Sequence, residues 1–313
     1  MTKRFLGDII KHLINGQLLQ ICMSLIATLL GISQDGGIPQ ASLSPLNWEI
    51  HLSGAVYHPV SLGIKTTNGN GHLFDVTRSL SWQLALWQNK SQGALSKLTD
   101  VWISHSHLSH VDGLLQFGKA SMGLKGINLR CSELFASEIK SNSWIQQMID
   151  DGTFVIHTWS DQSDIEIENG YSVRPIKIPH RTNGSDTHAF LISGKFKKLL
   201  YLTDHDSWDE TLNFVGFASP LEWFKSLNAD FVLLDGTFWS NAELSNRIQS
   251  DVPHPPVVET LELIGKKEVE DPDIIFVHLN HTNPLLNYDG LESKKLVDRG
   301  WSVGFEGQTI VLD

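Results

Sequence analysis

Apolar residues along the chain fall into short runs that stop abruptly at polar or titratable positions, a pattern that predicts strands separated by short helices. Strands are predicted at Ala55–Thr66, Gly71–Val76, Asp100–Ser104, Thr153–Thr158, Tyr171–Ile178, Ala189–Ile192, Lys198–Leu202, Phe231–Leu234, Ile274–Val277 and Trp301–Phe305. Before them, Ile21–Gly31 is apolar but too short to cross a bilayer of about 30 Å as a helix, and it runs into the turn-rich Gln34–Pro39. It reads as a buried first strand, and no transmembrane segment is expected. Helices are predicted at Leu80–Trp87, Leu114–Phe117, Ser132–Ile149, Pro220–Ser226 and Pro256–Ile264. Two β-rich halves with interspersed helices fit two sheets packed face to face and covered by helices.

Residues 1–20, with apolar Phe5, Ile9, Ile10, Leu13, Leu18 and Leu19, read as an amphipathic helical extension or a divergent targeting segment. Asp8, Lys11, His12 and Asn15 interrupt the apolar stretch that an export signal needs. With no repeat or linker, residues 21–313 are expected to form a single domain.

Composition narrows the function. With 41% apolar and 19% charged residues the chain is an ordinary globular one, which excludes disordered, collagenous and disulfide-framework classes. A formal charge of -11 repels phosphate backbones, so no nucleic-acid partner is expected; a small-molecule substrate and a homodimer are. Cys22 and Cys131 are the only cysteines, too few for a Cys-based zinc site, and the absence of a disulfide framework points to the cytoplasm. Fourteen histidines are the anomaly.

Three of them, His105, His107 and His110, lie within six residues just past the apolar strand ending at Ser104. Imidazoles at i and i+2 in extended geometry point the same way, and a following turn can bring the third to the same cation. Four more apolar runs end in metal-capable residues: His180, Asp204, Asp235, and His278 with His281.

This order, an HxHxxH run, a His about seventy residues on, a strand-end Asp and a late His, resembles the metallo-β-lactamase superfamily over roughly Leu25 to Asp313, with Asp75 as an early strand-end aspartate. Gly36-Gly-Ile-Pro-Gln40, Pro179-His180-Arg181, Leu234-Asp-Gly-Thr-Phe-Trp239 and His278-Leu-Asn-His-Thr-Asn-Pro-Leu285 resemble the pyrroloquinoline quinone biosynthesis protein B group within it. The resemblance implies an α/β fold, the αββα sandwich of two central mixed sheets flanked by helices. It implies one or two divalent metal ions: His105, His107 and His180 on a first, Asp204 bridging, and His110 with His278 on a second. His281 is an alternative to His278. Asp235 or His254 would orient a ligating imidazole. Imidazole and carboxylate suit zinc, manganese or iron alike, with zinc favoured.

Two departures matter. Hydrolases of the superfamily carry HxHxDH, whose Asp ligates the second metal and orients the attacking water, whereas this chain has Ser109. Asp112 is three residues on, but its context reads as a helix cap. The biosynthesis proteins tend to lack the leading histidines that His105 and His107 supply here, so the reaction need not be theirs.

Three functions compete. The preferred one is a metal-dependent hydrolase of a small ester, lactone or phosphodiester, with Arg181 as candidate anion clamp and Trp208 and Trp239 as candidate substrate contacts. An iron-dependent oxygenase related to quinone cofactor biosynthesis is the second. A non-catalytic binding protein with a degraded second site, supported only by Ser109, is the third.

Overall fold

The apolar runs pair into two mixed seven-stranded sheets. The computed structural model describes residues 24–41, 54, 56–90, 97–159, 162–181, 185–243 and 253–313; the expected helix at 1–20 lies outside them. The first sheet runs β14 (Thr309–Val311), β1 (Ile26–Gly31), β2 (Ser61–Lys65), β3 (Asn70–Phe74), β4 (Lys97–Trp102), β5 (Ile127–Ser132) and β6 (Phe154–Trp159). The second runs β13 (Ser302–Val303), β12 (Asp273–Val277), β11 (Phe231–Asp235), β10 (Lys198–Leu202), β9 (Thr187–Ser193), β8 (Tyr171–Ile178) and β7 (Ile165–Glu168). In each sheet one side is antiparallel and the other parallel, the change falling at β3 and at β10.

Alternation along the strands places successive side chains on opposite faces. Phe74 and Trp102 point into the space between the sheets, where their rings stack at 5.6 Å and meet Phe190 of the second sheet edge-on. Their neighbours Leu73 and Val101 point outward, under Leu80 and Trp87 of α1 (Leu80–Lys90). Each fully buried side chain of this size stabilises the fold by about 1.5–3 kcal/mol. Both faces of the first sheet are covered at β1, all six residues of which are buried, which is why that strand reads as a nearly continuous apolar run. On the far side of the second sheet, Trp208 and Leu212 of one helix and Trp223 and Phe224 of the next belong to the same buried core. Sheets inside and helices outside make the expected αββα sandwich.

The predicted helix at Ser132–Ile149 is two helices. Ser132 ends β5 and caps the first by accepting from the Phe135 N–H at 3.1 Å. Asn142 breaks the run and caps the second by accepting from Trp144. Both side chains compete for backbone donors better than they propagate a helix. Among the described residues no helix is long and apolar enough to cross a membrane.

Candidate metal centre

Strand ends carry the chemistry. Asp75 follows β3, His105, His107 and His110 follow β4, His180 follows β8, Asp204 follows β10, Asp235 ends β11 and His278 follows β12. Asp75 (φ 60°) and His278 (φ 62°) hold left-handed backbone, which costs on the order of 1–3 kcal/mol each and persists only where surroundings enforce it. The His278 turn is enforced by the Leu279 N–H donating to Ile32 at 2.8 Å and the Asn283 amide donating to the Gly236 carbonyl at 2.7 Å.

The imidazoles converge on Asp204. His107 Nδ1 lies 3.0 Å from His105 Nε2 and 3.3 Å from His180 Nε2. Asp204 Oδ1 stands 3.4 Å from His278 Nε2, 3.8 Å from His180 Nε2 and 3.9 Å from His105 Nε2, while its Oδ2 faces His110 Nε2 at 3.5 Å. His110 Nε2, His278 Nε2 and Asp204 Oδ2 are buried with no hydrogen-bond partner. Three overlapping groups form among the described residues: His105, His107, His180 and Asp204; His110 and His278 with Asp35, a residue not singled out from the sequence; and Asp204, His254 and His278.

The partners of the remote ring nitrogens explain why the near ones face inward. A carboxylate only accepts, so the Nδ1 atoms of His110 and His180 carry the protons that they donate to Asp75 and Asp206, each at 2.8 Å. Two further imidazoles are held through hydroxyls. Ser104 donates to Asp75 and accepts from His105 Nδ1 at 2.9 Å; Thr237 donates to Asp235 at 2.7 Å and accepts from His278 Nδ1 at 2.8 Å. Asp235 also takes the His254 Nδ1 proton at 2.6 Å. Each half of the fold therefore offers one strand-end aspartate that holds one imidazole directly and one through a hydroxyl. Such outer partners set tautomer and ring orientation in metal sites.

His107 Nδ1 lies at 3.0–3.3 Å from the Nε2 atoms of His105 and His180, close enough for a proton on it, or a cation in its place, to be shared among the three rings. Burial pushes the His105 imidazole well below its usual range, keeping it neutral and able to ligate. At His110 burial works the same way but is outweighed by Asp75 and Asp204, which lift it to about 9. Asp204, despite burial, is held well below the carboxylate range by His278, His110 and His105. The donor set, buried imidazoles around an ionised carboxylate, fits a divalent cation, whose binding would displace the proton that Asp75 and Asp204 keep on His110.

Several sequence expectations change. Ser109 is buried and donates to Asp35 at 2.8 Å. His281 belongs to none of these groups, whereas His278 belongs to two. Asp112 caps no helix through its side chain, which pairs with Arg78 at 2.8 Å. Arg181 pairs with Asp206, the carboxylate that orients His180, so its charge is part of that support. Trp208 is 1% exposed, its indole donating to Thr260 at 2.8 Å, which places it in the core rather than against substrate. Trp239 is partly exposed and packs on the core edge.

The family model of the Beta-lactamase superfamily domain matches residues 73–279. Coenzyme PQQ synthesis protein B of Methylobacillus flagellatus is 32% identical over 96 residues, 27% of this chain, and the match spans 30% of that relative's length. The crystal structure of Zn²⁺-bound PqqB from Methylobacterium extorquens superposes with a TM-score of 0.70 at 20% identity, covering 91% of this chain and 99% of that one. A diphosphatase from the PhnP family gives 0.60 at 17%, covering 92% and 97%. With its strand-end imidazoles and carboxylates on the sandwich described above, the chain belongs to the metallo-β-lactamase superfamily and is PqqB-like within it.

Proposed function

We propose that the protein is a metal-dependent hydrolase of a small ester, lactone or phosphodiester, with zinc as its metal. His105, His107 and His180 would hold a first ion and His110 and His278 a second, with Asp204 within reach of both sets of imidazoles. The observation that carries this reading is the set of buried ring nitrogens and the Asp204 oxygen that converge without hydrogen-bond partners while the remote nitrogens of four imidazoles are held by acceptors. The likeness to a diphosphatase supports hydrolysis, and the zinc-bound PqqB structure supports zinc. Bound there, the ions would lower the pKa of a water molecule to about 7 and polarise the group under attack.

The rest falls to the chain's own groups. His254 lies beside His180 and His278, with ring centroids 5.5 and 5.4 Å away, and Asp235 outweighs burial to raise it to about 9. It holds a proton at Nε2 for the leaving group, and Asp235 stabilises the imidazolium that gives it. Trp239 flanks this edge, next to Phe238, whose ring is 6.3 Å from that of His254.

Turnover of a panel of aryl esters, lactones and phosphodiesters by anaerobically purified protein tests the reading. Hydrolysis with zinc or manganese and no need for oxygen is expected. Activity confined to iron, with oxygen consumed, would replace it by the oxygenase reading, and metal-loaded protein inert toward every class would favour a binding protein.

A further inference from the structure

The turn after β1 brings a carboxylate to the place where the sequence lacks one. We propose that Asp35 is the anionic ligand of the second metal, transposed from the histidine run to a different chain segment, and that Ser109 is the positioning residue that holds it. The proposal rests on the two-metal hydrolase reading above.

Ligand atoms of Asp35, His110 and His278 lie within 4.8 Å of one another. The Nε2 atoms of both histidines, each residue 1% exposed, are aimed there with no hydrogen-bond partner. Asp35 itself is exposed, open to an incoming ion, and its left-handed backbone (φ 33°) is one that a short polar residue tolerates. The backbone sets its position. The Gln34 N–H donates to the Leu279 carbonyl at 2.9 Å, the Leu279 N–H returns to Ile32, and the Gly37 N–H closes the turn on Gln34. This knits the turn to the residue that follows His278. From the other side the Ser109 hydroxyl donates to Asp35 Oδ1 at 2.8 Å.

Ser109 therefore supplies a proton donor where hydrolases of this superfamily have a carboxylate, and Asp35 supplies the charge. A second divalent ion close to the first needs that charge, since Asp204 alone would face four positive charges.

Metal-free wild type, Asp35→Asn, Ser109→Ala and the double variant Asp35→Ser/Ser109→Asp are titrated with Zn²⁺, and with Co²⁺ followed by its visible spectrum. Two equivalents are expected for wild type. Asp35→Asn should keep the first and bind the second more than about 100-fold more weakly, with the melting temperature of the metal-free protein unchanged. Ser109→Ala should weaken the second by about 10- to 100-fold, as loss of an orienting partner does. The double variant should recover the second equivalent. Two tight equivalents in Asp35→Asn would overturn the assignment of Asp35 and leave the two-metal reading standing. A single equivalent in wild type would overturn both. A double variant as deficient as Asp35→Asn would overturn the exchange of positions.

Discussion

Replacing Thr237 by Val removes one hydroxyl and nearly nothing else, which isolates what that relay contributes. In the native protein the hydroxyl donates to Asp235 Oδ1 at 2.7 Å and accepts from His278 Nδ1 at 2.8 Å. Asp235 would lose little. Its Oδ1 keeps the Thr237 backbone N–H at 3.0 Å, and Oδ2 keeps His254 at 2.6 Å. His278 Nδ1 would lose the hydroxyl that accepts its proton at a site 1% exposed, and an orphaned buried donor costs about 1–3 kcal/mol. The ring would then be free to turn or to swap its proton to Nε2, the atom that faces Asp204 at 3.4 Å. Loss of such an orienting partner lowers metal affinity by about 10- to 100-fold, or about 1.4–2.8 kcal/mol. Chelator competition reads the affinity directly, and zinc-dependent melting reads it again, because the stabilisation by saturating zinc shrinks by the same amount. Thr237→Ser should restore most of both. A Val variant that binds zinc like wild type, or a Ser variant as weak as Val, would refute the relay.

Other consequences can be measured independently. Trp208→Leu should destabilise the protein by roughly 3 kcal/mol, a fall of about 10 °C in Tm, through the cavity left and the lost indole hydrogen bond to Thr260, with KM unchanged; a raised KM at unchanged Tm would move Trp208 into the substrate site. His254→Ala should lower kcat by about 100-fold or more on substrates with poor leaving groups and much less on activated aryl ones; an equal loss on both would remove it as proton donor. Burial lifts the Glu306 carboxyl from 4.5 to about 7, opposed by the His58 N–H. Its folded pKa exceeds its unfolded one, so its favourable contribution is complete below about 4.5 and is lost as pH rises to about 7, by at most about 3 kcal/mol. Glu306→Gln should flatten stability across that window, and an unchanged pH profile would contradict the shift.

What could be read without coordinates is what neighbouring residues determine. Apolar runs ending in His180, Asp204, Asp235 and His278 announce strands with chemistry at their ends, because the run and its terminus share one backbone direction. Strands β8 and β10 have the predicted bounds. Three strands do not follow from the pattern: the internal β5 mixes Asn128 and Arg130 among its apolar residues, the edge strand β7 alternates Ile with Glu, and the edge strand β14 spans only Thr309–Val311.

Tertiary structure alone decided the pairings across the chain. Asp35 meets Ser109 across 74 positions, Asp75 meets Tyr201 across 126, and Thr237 meets His278 across 41. No local periodicity encodes such contacts, since they follow from which strands lie side by side and where each turn leaves its sheet. For the same reason the sequence showed Ser109 as a missing carboxylate, while the fold brings one to its hydroxyl from another loop. Trp208, one residue into a helix and four past Asp204, looked like a site residue from its spacing, but the helix turns its indole toward Thr260 and the core. Linear order specifies which groups are available; hydrogen-bonded strand order and helix rotation decide which of them share a cation.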